Sequence, residues 1–407
     1  MNILVLAESL RINETSSGIV SSTFISALKK GGHNVTCLYE KFKKPLAICW
    51  LEGVELREIT YGIHEKKALD FIPKLRAIPT FLDGYNRRFK NQIMSWKHEI
   101  ESTLLNSGIE LIIVLGSGSS FLPHFAMLQV KTKIPWIANF HDPYPMSLYP
   151  DPYRKKRNLI YRKQEGYTKE IIRKATLVSF PSLLLKDLMQ QSFPEIKNKS
   201  LILPHIGVEL NNLPTNENDQ LVILNKSKFN ILHAGTLLGP RKIDSLFQAF
   251  EKFINSKTEI KENAVLTVLG KVAKEHSNII KRNNLNYKII TERVSYKRSL
   301  ELTKQADISL IIEADAETSP FMPGKLADLI FLEKPILALT PLNSETLRVL
   351  GDNYPYTART NDVDEIYNQL LTMWNLRKVN KLKLVNKEAL KYYVSEEKFN
   401  ITIKNHL

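Results

Sequence analysis

A chain of 407 residues has room for two domains of about 200 residues, each with its own core. With 43% apolar and 24% charged residues it reads as a water-soluble globular protein, and its two cysteines, Cys37 and Cys49, are too few for a disulfide framework, which points to a reducing compartment. The 57 basic against 42 acidic residues give a formal charge of +15, which suits phosphorylated substrates or an anionic membrane surface; with no recognised nucleic-acid module beside it, nucleic acid is not an expected partner.

The opening Met1-Asn-Ile-Leu-Val-Leu-Ala7 meets Glu8 too early for a signal peptide, and no stretch approaches the roughly 20 apolar residues of a membrane span. The expectation is a cytoplasmic protein, peripheral on the inner face of the membrane. Asn2–Ala7 reads as a strand, Gly18–Lys30 as a helix and Asn34–Tyr39 as a strand. Between Lys66 and Lys97 basic residues are interleaved with Phe71, Phe81, Tyr85, Phe89 and Trp96, and a second cluster runs from Arg154-Lys-Lys-Arg157 to Lys174. These are either solvated helix faces or a surface that rests on anionic lipid. Ile109–Leu115, Ile134–Asn139 and Ala175–Phe180 are nearly continuous apolar runs, as in strands covered on both faces. After a polar stretch at Asn211–Asp219 the pattern restarts. Strands are expected at Phe229–His233, Ala264–Leu269, Tyr287–Ile290, Asp307–Ile312 and Pro335–Leu339. Helices are expected at Lys242–Ile254, Tyr296–Gln305, Lys325–Leu332, Ser344–Leu350 and Val363–Trp374, with basic helical segments closing the chain. This alternation predicts an α/β protein with two parallel, doubly wound sheets, which bind ligands beyond the carboxyl ends of their strands.

Four strand-to-helix junctions carry residues suited to such a ligand. At Thr15-Ser-Ser-Gly18, Gly18 allows close backbone approach, although a plain helix cap reads equally well. At Asn139-Phe-His141-Asp142-Pro143, His141 can donate to a sugar hydroxyl or phosphate, with Asp142 as partner, or the segment is turn chemistry. In His233-Ala-Gly235-Thr236-Leu-Leu-Gly-Pro-Arg241-Lys242, Gly235 bares the backbone and Arg241 and Lys242 supply charge, unless both are merely exposed cations. The fourth is Ser319-Pro-Phe321-Met322-Pro323-Gly324-Lys325-Leu-Ala-Asp328. There a helix start offers unpaired amides, Lys325 adds charge on the first turn, and Asp328 follows one turn on. No metal-ligand spacing or nucleophilic triad is visible. What the junctions share is provision for a diphosphate and its attached hydroxyls.

Together these motifs resemble glycosyltransferase family 4, retaining bacterial enzymes of GT-B fold, across nearly the whole chain and nearest its surface-polysaccharide branch. Pro204-His-Ile-Gly-Val-Glu209, His233–Arg241, Ser319–Asp328 and Phe331-Leu-Glu-Lys-Pro-Ile-Leu337 carry the likeness. It implies two Rossmann-like domains facing a cleft. Residues 1–210, completed by helices 382–405, would form the acceptor side; 211–221 a linker; and 222–381 the nucleotide-sugar domain. It further implies that Arg241, Lys242 and Lys325 hold the donor diphosphate, that Gly235 and Thr236 lie beside it, and that Asp328 binds ribose. Phe321, Met322, Pro323 and Gly324 would line the donor with backbone groups, His141 would lie near the donor sugar and Gly18 near the diphosphate. The expected function is transfer of a sugar from a nucleoside-diphosphate sugar to a lipid-linked or polysaccharide acceptor, with no cofactor required; the alternatives are a GT-B epimerase or phosphorylase, or a non-catalytic scaffold. Departures from the pattern are Pro320 at the first of two customary glutamates, Asp328 at the second, Thr236 for an arginine and His205 for an asparagine.

Overall fold

The computed structural model describes residues 1–40, 51–61, 82–105, 108–116, 118, 120–214, 223–237, 239–281 and 284–406. Much of the basic Lys66–Lys97 segment, most of the 211–221 linker and Cys49 therefore lie outside the described residues. The chain divides into two compact units, Met1–His205 with Glu396–Leu407, and Ile206–Ser395. The first unit thus ends five residues before the expected boundary at 210, and of the closing helices only Glu396–His406 joins it; Lys387–Tyr393 belongs to the second.

In the first unit the strands are β1 (Asn2–Ala7), β2 (Asn34–Glu40), β3 (Glu55–Ile59), β4 (Leu111–Leu115), β5 (Trp136–Asn139), β6 (Leu177–Phe180) and β7 (Ser200–Ile202). They form one sheet in the order β3-β2-β1-β4-β5-β6-β7, with every pair parallel. Parallel strands need crossovers, and helices Ser16–Lys30, Arg87–Leu105, Leu122–Met127, Leu159–Lys174 and Leu183–Ser192 supply them. Five of the six β1 residues are buried, because both sheet faces are covered. The core gathers Trp96, Phe121, Phe125, Phe140 and Phe180. Strand β3 escapes an apolar pattern because it is the sheet edge, with Glu55, Arg57 and Glu58 turned to solvent or only half-covered.

The second unit repeats the plan. Its strands are β8 (Phe229–Ala234), β9 (Ala264–Leu269), β10 (Tyr287–Ile290), β11 (Ile308–Ile312), β12 (Thr318–Ser319), β13 (Ile336–Leu339), β14 (Asn343–Ser344) and β15 (Thr357–Ala358). Six of them form a parallel sheet ordered β10-β9-β8-β11-β13-β15, and β12 pairs with β14. Phe229, Phe250, Phe253 and Trp374 anchor its core. In each sheet the strand order reverses once, between β1 and β4 and between β8 and β11. At such a reversal successive crossovers leave in opposite directions, so the loops diverge and open a crevice at the carboxyl ends.

Candidate active site

Strand β8 delivers the first part of the site. Past its end at Ala234, Gly235 has φ of +138°, where a side chain would strain the backbone. Its amide donates to Leu269 O at 2.8 Å, which ties the turn to β9. A Cβ on Gly235 would meet nothing within 4 Å, so its backbone face is bare. Thr236 is exposed, and its carbonyl accepts from Arg241 Nη1 at 3.3 Å. Arg241 has no ion pair among the described residues, and its Nε is buried without a hydrogen-bond partner. The helix expected from Lys242 starts at Asp244, so both cations lie in the turn before it. Lys242 is exposed and faces Asp315 Oδ2 at 3.4 Å.

Helix Gly324–Phe331 delivers the second part. Pro323 holds the N-cap with no side-chain hydrogen bond, and the first turn carries no acid. An N-terminus left open in this way favours an anion. Lys325 Nζ lies 3.2 Å from Nδ1 of His233, a wholly buried residue of β8. Burial, then the neighbouring Arg241, hold the Lys325 ammonium well below its ordinary pKa. Burial, then Lys325 and Arg241, do the same to His233, so its neutral ring accepts from Lys325. Two cations that repel each other, neither bonded to a carboxylate, leave an electrostatic deficit that a multiply charged anion would relieve.

Two buried carboxyls accompany these cations: Asp328 lies one turn after Lys325, and Glu313 feels the charge of Arg241. Asp328 Oδ1 accepts from Tyr296 Oη at 2.7 Å, and burial lifts its pKa to about 7 against that hydrogen bond. Glu313, directly after β11, accepts from Thr346 Oγ1 at 2.6 Å and Ser344 Oγ at 2.8 Å. Burial lifts it too to about 7, opposed by those hydroxyls, by Ser319 and by Arg241. Glu313 thereby ties the loop through Ser319 to the segment after β14. Of the loop residues expected to line the donor, Phe321, Pro323 and Gly324 are half-buried, while the Met322 side chain enters the core.

Gly18 and His141 belong to the first unit. Gly18 is spent on packing: its amide donates to the Thr15 cap at 3.0 Å, and a Cβ would strike Arg11 O at 2.4 Å. The helix-cap reading of that junction therefore describes its geometry. His141 is half-buried and packs against His205, the ring centroids 4.8 Å apart and the planes tilted by 32°. Burial lowers His141 and raises Asp142, each opposed by the other's charge. Nearby, Glu8 follows β1, accepts from Ser120 Oγ, and is raised to about 7 by burial.

The second unit thus brings together Gly235, Thr236 and Arg241 with Lys325 and Asp328, whereas Lys242 is engaged elsewhere. Sequence reasoning missed Glu313, Asp315 and Tyr296 as participants and left His233 without a role. A carboxylate directly after an apolar strand was a usable signal for Glu313. No local signal joins Tyr296 to Asp328 across 32 positions.

No family model matches the sequence, and no curated protein matches it. Solved structures do match over the full length. Anabaena HepE, in complex with UDP and glucose, is 13% identical at a TM-score of 0.61, covering 100% of this chain and 98% of its own. A glycosyltransferase from Rickettsia africae is 11% identical at 0.61, covering 100% and 97%. A UDP-forming α,α-trehalose-phosphate synthase from Burkholderia xenovorans, in complex with glucose-6-phosphate, is 11% identical at 0.62, covering 100% and 98%. At such identities the likeness is one of fold: two Rossmann-like parallel-sheet domains of the GT-B type.

Proposed function

We propose that this chain is a retaining glycosyltransferase of the family 4 type. It moves a sugar from a nucleoside-diphosphate sugar to a lipid-linked or polysaccharide acceptor in cell-surface glycan assembly. The observation that carries the reading is the desolvated Lys325, repelled by neighbouring Arg241 and set in the first turn of a helix with no side-chain cap. A diphosphate supplies what that arrangement lacks. The UDP held by HepE, a protein of the same fold, supports the same ligand class.

In this reading Lys325, Arg241 and the first-turn amides take up charge as the bond between the sugar C1 and the phosphate oxygen breaks. The acceptor oxygen bonds to C1 from the same face, and its proton passes to the departing phosphate, as the family resemblance implies. Asp328 accepts from the ribose, Gly235 lets the backbone approach the phosphates, and His141 holds the donor sugar. Catalysis rests on positioning and charge rather than on an enzymic nucleophile.

The test is calorimetric or thermal-shift titration with UDP, GDP, ADP, TDP and CMP. Selective binding of one nucleoside diphosphate is expected. Silence across the panel from a folded sample refutes the reading.

Attachment to an anionic membrane surface at the inner face belongs to the same proposal. On helix Leu159–Lys174 the residues Leu159, Arg162, Lys163, Lys169 and Arg173 are exposed at helical spacing, making one basic stripe. Lys163 Nζ donates to Leu82 O, and Gln164 Nε2 to Gly84 O at 3.0 Å, which sets the stripe against the segment leading into helix Arg87–Leu105. Leu82 and Leu159 are 63% and 61% exposed beside these cations. Among the described residues no helix is long and apolar enough to cross a membrane. Co-sedimentation with phosphatidylglycerol vesicles at low salt, but not with phosphatidylcholine vesicles, is expected; equal behaviour with both removes the membrane from the proposal.

A further inference from the structure

We infer that Tyr296 is a positioning residue for the nucleotide ribose, acting through Asp328. The inference rests on the nucleotide reading above and adds a residue to it. Tyr296 is the first residue of helix Tyr296–Gln305, fixed there by Ser295, whose hydroxyl accepts from Arg298 N at 3.1 Å. Its phenol is buried and donates to Asp328 Oδ1 at 2.7 Å. Asp328 is itself only 6% exposed, and among the described residues its Oδ2 has no hydrogen-bond partner. The carboxylate is therefore held on one oxygen and open on the other.

An aspartate reaches one methylene less far than a glutamate, so its position depends more on whatever fixes its rotamer. Tyr296 fixes it through the hydrogen bond to Oδ1. Burial and the nearby carboxylate hold the phenol well above its ordinary pKa, so it remains a donor at neutral pH. The oxygen left open can then accept from a vicinal pair of hydroxyls, the one feature that separates a ribonucleotide from its deoxy counterpart. Lys325, one turn earlier on the same helix, addresses phosphate and is indifferent to that difference.

The experiment measures the affinities of UDP, GDP and ADP against their 2′-deoxy counterparts, for the full-length protein and its variants. The unaltered protein is expected to favour the ribonucleotide of its preferred base by about tenfold or more, the range of a hydrogen bond to a charged group. Tyr296→Phe is expected to lose most of that preference while binding the deoxynucleotide as before. Asp328→Asn is expected to lose it too, and the double variant Tyr296→Phe/Asp328→Asn no more than Asp328→Asn alone. A Tyr296→Phe protein that discriminates as the parent does overturns the inference. So does equal loss of affinity for both sugars, which marks a purely structural contact. If the unaltered protein binds nucleotides without preferring ribose, the Asp328 assignment fails while the nucleotide reading stands; if it binds none, both fail. Should Tyr296→Phe not fold, Asp328→Asn and Tyr296→His, which keeps a donor on a shorter side chain, decide the matter: Asp328→Asn retaining the preference overturns the inference, and Tyr296→His retaining part of it supports the inference.

Discussion

The two sheets share a topology and differ in what stands at their strand-order reversals. Beyond β8 and β11 the second unit places Arg241 and Lys325, with neutral His233 beneath. At the carboxyl ends of β1, β2 and β5 the first unit places Glu8, Glu40 and Asp142, all raised by burial. Both crevices hold buried carboxyls; in the second the desolvated Lys325 stands among them with Arg241 close by, in a chain whose overall charge is +15. The scaffold fixes where a ligand can sit, and the loop residues decide its sign. On the function proposed above, the anionic leaving group falls to the second unit and a neutral, hydroxyl-rich group to the first.

The largest effect that tests this contrast is Lys325→Ala. Turnover and nucleoside-diphosphate affinity should fall about a hundredfold or more, as when one preorganised charge-stabilising donor is removed. The thermal midpoint should hold or rise, since a desolvated cation near another is lost. Steady-state kinetics and calorimetry on a sample checked by thermal unfolding decide it, and unchanged turnover in a folded variant refutes the phosphate assignment. His141→Ala should act on the other side of the comparison. Turnover is expected to drop about tenfold or more, with nucleoside-diphosphate affinity unchanged, because the proposed function gives the first unit the sugar rather than the diphosphate. Equal losses in both quantities would erase the distinction drawn between the crevices.

A smaller effect concerns pH. Glu8 and Glu313 have pKa values raised from 4.5 to about 7, and Asp328 from 3.8 to about 7, so between these limits the folded state binds protons that the unfolded chain has released. Stability supplied by these groups is therefore present at low pH and lost as pH rises toward 7. Thermal midpoints should decline across that window, and the slope should flatten in Glu8→Gln and Glu313→Gln. Lys325 works in the opposite direction at higher pH, because its depressed pKa makes the unfolded chain the one that holds the proton.

The buried strands were legible because parallel strands covered on both faces need unbroken apolar runs. Ala264–Leu269 and Asn2–Ala7 match residue for residue; the edge strand Tyr287–Ile290 does as well, its apolar residues outnumbering the exposed Lys288. The edge strand Glu55–Ile59 was not, since half of its surface obeys solvent rather than a core. In the site, Pro323-Gly324-Lys325 was readable as the start of a helix open to an anion. The fate of Lys242 was not, because Asp315 meets it across 73 positions. Gly18 shows the remaining difficulty: a glycine demanded by a close backbone contact and one demanded by a ligand look the same in a sequence.

The last helix, Glu396–His406, belongs to the first unit, where Phe399 packs edge-on against Phe24 at 4.6 Å and Asn400 Nδ2 donates to Ala27 O at 2.8 Å. Gly31 leaves the space that Asn400 fills, since a Cβ there would stand 2.3 Å from its side-chain oxygen. On a ribosome, therefore, the half that emerges first is finished last. The second unit, Ile206–Ser395, is contiguous and can close on itself while Phe24 and Ala27 still await their partners. Until residues 396–406 are made, helix Ser16–Lys30 carries Phe24 without its ring partner, an uncovered apolar strip on an unfinished chain.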